Sequence, residues 1–314
     1  MTLSIAPIDP AADEAFRAAH VGASEVAALF GMSPWLTEFE LWHRKAGNIA
    51  TPDFNAVVDG VPENERVYWG VKMEPVIVEA ACERWGYEPL QSPHFLSNGK
   101  GLGGHPDRIV NCPERGRGVL EVKTADWLVV KGWGDEPPAH YLLQNLTYQG
   151  LAGCDWGDVI VLVGGNKLER FQYDFRPKIY ADIEARVAAF WQSVRDGKAP
   201  KPDYSRDGRT LIDVIGAPTD EVIDLRNDFD AGALAGDYLA AKEAEKAAAQ
   251  RADTIKAQII EKIGTAGFAL LPDHKISANF TKGSADKIIT AEMVGDVIKG
   301  RRGYRRFDVK ECEQ

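Results

Sequence analysis

GGHPDRIVNCPERGRGVLEVK, residues Gly103 to Lys123, is the stretch whose reading decides the fold. Two β-prone runs, Arg108-Ile109-Val110 and Val119-Leu120-Glu121-Val122, flank a turn cluster from Asn111 to Gly116. That pattern predicts a β-hairpin with a loop longer than the tight two-residue kind. Asp107 stands at the mouth of the first strand. Glu121 and Lys123 are two residues apart in the second, so strand alternation aims both at one face. Ionised side chains are rarely buried unless paired or bound to metal. Two carboxylates converging there make a hard oxygen site of the kind Mg²⁺ prefers, with a lysine beside it to hold or polarise a water. A salt-bridged hairpin with no chemistry satisfies the same residues.

Upstream, residues 1 to 14 read as a loose arm and Phe16 to His20 as the start of a short helix. Ser24 is placed as N-cap of a helix from Glu25 to Phe30, whose free N–H groups suit a phosphate. Thr37 to Ala46 reads as an amphipathic helix with Phe39, Leu41 and Trp42 inward, and residues 48 to 65 as a loop. A helix from about Gly70 to Trp85 carries Glu74. Because proline is tolerated in a first turn, Pro75 places Glu74 at or near the helix start. GKGLGG, Gly99 to Gly104, fits G-x-G-x-x-G in form. It lacks the preceding strand and following helix that a dinucleotide site needs, so its glycines are read as allowing close approach to another strand or a ligand. His105 is read as a structural histidine.

Downstream, a loop rich in Gly, Trp and Pro (131 to 138) leads to a helix from about Ala139 to Ala152 holding Tyr141, Gln144, Tyr148 and Gln149. Asp158 to Val163 is a buried strand and Glu169 to Phe175 its hairpin partner. Lys178 to Arg195 is an amphipathic helix with Ile179, Ile183, Val187, Phe190 and Trp191 on one stripe.

Several blocks now resemble one family. Pro106-Asp107 followed by Glu121-Val122-Lys123 is similar to the PD-(D/E)XK nuclease motif. GASEVAALFGMSPWLTEFELWHRKAG (Gly22 to Gly47), WGVKMEPVIVEAACERWGY (Trp69 to Tyr87), HPDRIV, LEVKTA and PAHYLLQNLTYQGLAG resemble, in order, the YqaJ-type viral recombinase nucleases, which include the lambda-type exonucleases. The resemblance covers roughly residues 15 to 165. It implies an α/β fold, a restriction-endonuclease-like core with a mixed central sheet flanked by helices. It also implies Mg²⁺ (with Mn²⁺ as substitute) held by Asp107, Glu121 and the carbonyl of Val122, and completed by Glu74. Lys123 would ready the attacking water, Gln144 would join the active-site set, and Arg17 with Ser24 would hold a DNA 5′ phosphate. The implied activity is 5′ to 3′ degradation of linear double-stranded DNA, leaving 3′ single strands for phage-type homologous recombination. The implied setting is the cytoplasm of a bacterial host, for a phage- or prophage-encoded protein working as a homo-oligomeric ring beside a single-strand annealing protein. An endonuclease of the same superfamily, or a non-catalytic DNA-binding or assembly protein, remains an alternative.

The 314 residues and 45% apolar content suffice for one large or two modest domains. No apolar stretch is long enough to span a bilayer, and the N-terminal residues lack the pattern of a signal peptide. Four scattered cysteines and six histidines show no zinc or iron–sulfur spacing and suit a reducing compartment. A net charge of −10 opposes a general basic footprint for nucleic acid, although a cation in an acidic cleft offsets part of that. The proline-bearing stretch 197 to 220 marks a boundary, giving a nuclease domain over 1–205 and a mainly helical C-terminal extension over 206–314. Within the extension, residues 220 to 264 read as one long helix or a pair, 268 to 280 as a small hairpin, and the region near Ala291 as a helix. The basic tail Lys299 to Arg306 follows.

Overall fold

The computed structural model describes residues 9–53, 56–58, 61–91, 93–217, 219–282, 287–288, 297–298, 304–305 and 308–311. They divide into two compact units, 1–218 and 219–314.

The first unit runs α1 (Pro10–Ala19), β1 (Val21–Gly22), α2 (Val26–Leu29), α3 (Glu38–Lys45), β2 (Val57–Val58), β3 (Val61–Pro62), α4 (Glu65–Trp85), β4 (Glu88–Pro89), β5 (Leu96–Ser97), β6 (Leu102–Gly104), β7 (Arg108–Cys112) and β8 (Gly116–Ala125). It continues α5 (Trp127–Lys131), α6 (Ala139–Ala152), β9 (Trp156–Val163), β10 (Lys167–Asp174), α7 (Pro177–Arg195) and α8 (Gly208–Ile215). Its main sheet has the order β10-β9-β8-β7-β4. β8 and β9 are parallel, with Glu121 opposite Val159, and every other neighbour pair is antiparallel. This is the mixed sheet expected, and its parallel pair is joined by a crossover through α6, as parallel strands require.

Alternation along β8 sorts its side chains onto two faces. Leu120 and Val122 pack with Val110, Trp156 and Ile160 against Ile77, Val78 and Ala81 of α4. Val119 packs with Ile109 against Tyr148 and Ala152 of α6. Ile109, Leu120 and Ile160 are fully buried, and such a side chain contributes about 1.5–3 kcal/mol when removed from water. A third cluster joins α2, α3, α6 and α7 through Val26, Leu41, Leu146, Ile183 and Val187. α6 is pinned to β9 by buried amides: Gln149 Nε2 donates to Asn145 Oδ1 at 2.6 Å, and Asn145 Nδ2 donates to the Asp158 carbonyl at 3.3 Å.

The hairpin forms as expected, but its strands extend into the loop. Cys112 pairs with Gly116, leaving only Pro113-Glu114-Arg115 as the turn, and Gly116 takes the left-handed conformation (φ +67°) that closes three-residue loops. The glycines before it do allow strand approach. β6 lies between β1, to which it is parallel, and β5. A Cβ on Gly103 would sit 2.5 Å from Phe16 Cζ and 2.9 Å from the Leu96 carbonyl oxygen.

Two expectations need correction. The chain is helical from Pro10, not from Phe16, because Asp9 caps α1 by accepting from the Ala11 N–H at 3.1 Å. α4 starts at Glu65, capped by Asn64 Oδ1 accepting from Val67 N at 3.2 Å, so Pro75 and Glu74 lie inside the helix rather than at its start. Pro75 is tolerated on the exposed side, where it leaves the Val71 carbonyl without a helical donor.

Residues up to the end of α8 are tied into the first unit. Thr37 Oγ1 donates to Asp207 Oδ1 at 2.5 Å, and Arg206 Nη2 donates to the Ser33 carbonyl at 2.8 Å. The second unit holds one long helix, α9 (Phe229–Ile263), which starts later than the sequence suggests because Asp228 caps it. The hairpin β11 (Phe268–Leu270) and β12 (His274–Ser277) follows as expected. Short strands β13 (Phe280–Thr281), β14 (Lys287–Ile288), β15 (Val297–Ile298), β16 (Tyr304–Arg305) and β17 (Asp308–Glu311) complete it, β17 pairing with β12. The helix expected near Ala291 lies outside the described residues, as does the tail Lys299 to Arg306 apart from the β16 backbone. Among the described residues no helix is long and apolar enough to cross a membrane.

Candidate active site

The end of the hairpin brings the acids together. β7 begins at Arg108, opposite Leu120, so the ladder stops two residues short of Val122. Asp107 replaces it: its Oδ2 accepts from the Val122 N–H at 2.6 Å. On the α6 face Lys123 Nζ donates to Glu121 Oε1. Glu121 is fully buried, and among the described residues its other oxygen, Oε2, has no hydrogen-bond partner. A buried carboxylate oxygen without a donor is costly.

Electrostatics show that Glu74 joins this group. Its carboxyl is pushed up to about 7, first by burial and then by the negative charge of Asp107, with Arg108 and Lys123 opposing. Glu121 is pushed up to about 8 by burial and by Asp107 and Glu74, against the pull of Lys123. Asp107 is raised by burial, with Lys123 and the Val122 N–H holding it down. Burial disfavours the Lys123 charge, yet Glu121 and Asp107 overcome this and hold it above the ordinary lysine value. Three acids raised by burial around one ammonium, with Asp107 raising both glutamates and Glu74 raising Glu121, are the pattern of a candidate functional site.

α6 supplies the wall. Lys123 Nζ lies 5.3 Å from the Tyr141 ring centroid, and Gln144 is hydrogen-bonded to Tyr148. Burial and the Glu121 and Asp107 charges raise Tyr148 well above an ordinary tyrosine. Gln144 thus stands between two tyrosines that face the acids. Sequence reasoning singled out Gln144 but not Tyr141 and Tyr148, although their spacing around it marks one helical stripe. Arg108 and His140, which also feel or oppose the cluster's charges, carried no sequence signal.

Among the described residues, no three His, Cys, Asp or Glu side chains stand close enough to close a metal site as they are. Lys123 occupies one Glu121 oxygen. Even so, the donor set fits a hard divalent cation: carboxylates only, mutually repelling, with the buried Glu121 Oε2 unpartnered.

Of the two residues expected at a 5′ phosphate, Arg17 lies in the last turn of α1 and is largely exposed, its Nε 2.8 Å from Asp13 Oδ2. Its charge acts on Tyr148 and His105, on the side of the acids. Ser24 does not cap α2. Glu25 holds that position without a side-chain cap, and its carboxylate is turned back to the Gly22 N–H and to Lys45, each at 2.8 Å. Ser24 is exposed in the preceding turn. His105 is structural, packed between Phe16 and Phe95 with Nε2 3.2 Å from Asp13 Oδ1.

A mixed sheet carrying Asp107, Glu121 and Lys123 on a central hairpin, with Glu74 brought to it from a helix, is an α/β arrangement similar to that of the PD-(D/E)XK nucleases. The chain matches the YqaJ-like viral recombinase domain over residues 14–155. It is 24% identical over 309 residues to the uncharacterized protein YqaJ of Bacillus subtilis (strain 168), covering 93% of this chain and 91% of that protein. Among solved structures it is similar to an alkaline exonuclease from Laribacter hongkongensis (TM-score 0.46, 18% identity, 64% of this chain and 100% of that one). It is also similar to a phage-related exonuclease from Haemophilus somnus 129PT (TM-score 0.41, 13% identity, 56% of this chain and 94% of that one).

Proposed function

We propose that this chain is a Mg²⁺-dependent exonuclease that degrades linear double-stranded DNA from 5′ to 3′ and leaves 3′ single strands for phage-type recombination. The observation that carries the reading is the group Glu74, Asp107, Glu121 and Lys123, with Glu121 fully buried and one of its carboxylate oxygens left without a partner among the described residues. The polarity, the bacterial cytoplasm as its setting, a homo-oligomeric ring and an annealing partner follow from the family resemblance.

Asp107, Glu121 and the Val122 carbonyl, with Glu74, would hold Mg²⁺ or Mn²⁺, which supplies charge neutralisation at the phosphate and a lowered pKa for the attacking water. The chain's own residues prepare the rest. Lys123 is protonated across the physiological range, so its Nζ donates to a water or a phosphate oxygen rather than accepting a proton. Tyr141 backs the ammonium and keeps it aimed at the acids. Gln144 and Tyr148 close the wall, and Arg17 supplies a positive charge for a terminal phosphate.

The test is linear 5′-phosphorylated duplex beside closed circular duplex in Mg²⁺, with Asp107→Ala and Lys123→Ala as variants. Shortening of the linear DNA alone, lost in both variants, is the expected result. Variants as active as the parent would remove the mechanism, and cutting of the circle would make the protein an endonuclease.

A further inference from the structure

Trp35 is 70% exposed, an unusual position for a tryptophan. It is nevertheless held in place. The turn that presents it is tied at Ser33, whose buried hydroxyl accepts from the Leu36 N–H at 3.1 Å and whose carbonyl accepts from Arg206 Nη2 at 2.8 Å. The Trp35 ring meets the edge of His140 at 5.1 Å with an interplanar angle of 89°. His140 in turn lies 4.1 Å from Tyr141, the ring that backs Lys123. Among the described residues, the buried His140 Nε2 has no hydrogen-bond partner. A row of rings thus runs from the ammonium at the acids out to one open indole face, and the row contains a polar nitrogen still lacking a partner.

We propose that Trp35 and His140 form a nucleobase subsite: the Trp35 ring stacks on the base of a nucleotide next to the scissile phosphate. Every base has a π-face, so stacking of this kind is tolerant of sequence and suits an enzyme that must step through any sequence. An aliphatic contact would need no ring fixed at a right angle to a histidine. The inference rests on the nuclease reading for the position of the phosphate, but not for the stacking itself.

The experiment measures binding and cleavage separately. Fluorescently labelled duplex, either intact or with abasic residues at its terminal three positions, is titrated with the full chain in Ca²⁺, beside Trp35→Ala, Trp35→Phe and the control Phe229→Ala, an exposed aromatic of the second unit. Stacking predicts that the parent binds intact ends about tenfold more tightly than abasic ends, the loss of one base–aromatic contact. Trp35→Ala should bring intact ends down to the abasic value, with Trp35→Phe between and Phe229→Ala unchanged. Because the ring is exposed, the thermal midpoint of Trp35→Ala should match the parent. Equal binding of intact DNA by parent and Trp35→Ala overturns the proposal, even if cleavage in Mg²⁺ persists. Base-dependent binding through Trp35 without any cleavage leaves the subsite standing and removes the nuclease reading. No DNA binding by the parent overturns both.

Discussion

Glu74→Gln should stabilise the metal-free protein at alkaline pH while destroying its activity. The carboxyl of Glu74 rises from about 4.5 to about 7 in the fold, by burial and by the charge of Asp107. A carboxyl with a raised folded value contributes stability that is complete below its unfolded value and lost as pH climbs through the folded one. The parent therefore carries a penalty that grows between about pH 4.5 and pH 7, whereas glutamine carries none. Each unit is worth about 1.4 kcal/mol, and discounting for the exposed part of the side chain leaves about 2 kcal/mol. In a unit of this size that is about 4–8 °C in the midpoint. Thermal unfolding in EDTA at pH 4.5 and pH 8.5 is the assay, with the two proteins similar at the lower pH and Glu74→Gln higher at the upper one. Added Mg²⁺ should then raise the parent more than the variant, since ligand bound only to the folded state stabilises it by mass action. A variant no more stable than the parent at pH 8.5, or equally more stable at both pH values, would refute the placement of Glu74 among the acids.

Asp158 is fully buried on the opposite face of the sheet, accepting from Tyr87 Oη at 2.6 Å and Arg115 Nη1 at 2.9 Å. Asp158→Ala should cost about 1–3 kcal/mol in denaturant unfolding, because it strands the half-buried Arg115 and removes the acceptor of the Tyr87 hydroxyl; a loss under about 0.5 kcal/mol would show the network to be dispensable. Gly103→Ala should cost about 1–3 kcal/mol by driving a methyl into Phe16 and the Leu96 carbonyl, read as a lowered thermal midpoint. Arg17→Ala should lower the preference for 5′-phosphorylated over 5′-hydroxyl ends in a cleavage assay while sparing the fold, as its ion pair is exposed.

The parts of this site that could be read from sequence are those set by short-range geometry. Strand alternation placed Glu121 and Lys123 on one face, and the 139–152 helix was readable because Pro137-Pro138 and Gly153 bracket it. Glu74 shows where that logic ends. Proline read as a helix start is a local rule, and α4 overrides it because burying Ile77, Val78 and Ala81 against the sheet outweighs one missing backbone bond. Ser24 misled for a related reason: Glu25 has a tertiary partner in Lys45, so the cap position passed to the neighbour whose side chain was already engaged. The Asp158 network was invisible altogether, since Tyr87, Arg115, Asp158 and Arg170 meet only after four segments fold together. The two charged clusters behave oppositely for one physical reason. Asp158 has its charge matched by Arg115 and its second oxygen filled by Tyr87, so it needs nothing more. The Glu121 cluster holds three acids against Lys123 and leaves one oxygen open, an imbalance that a proton or a bound cation relieves. That imbalance, more than the motif, separates a site from a salt bridge.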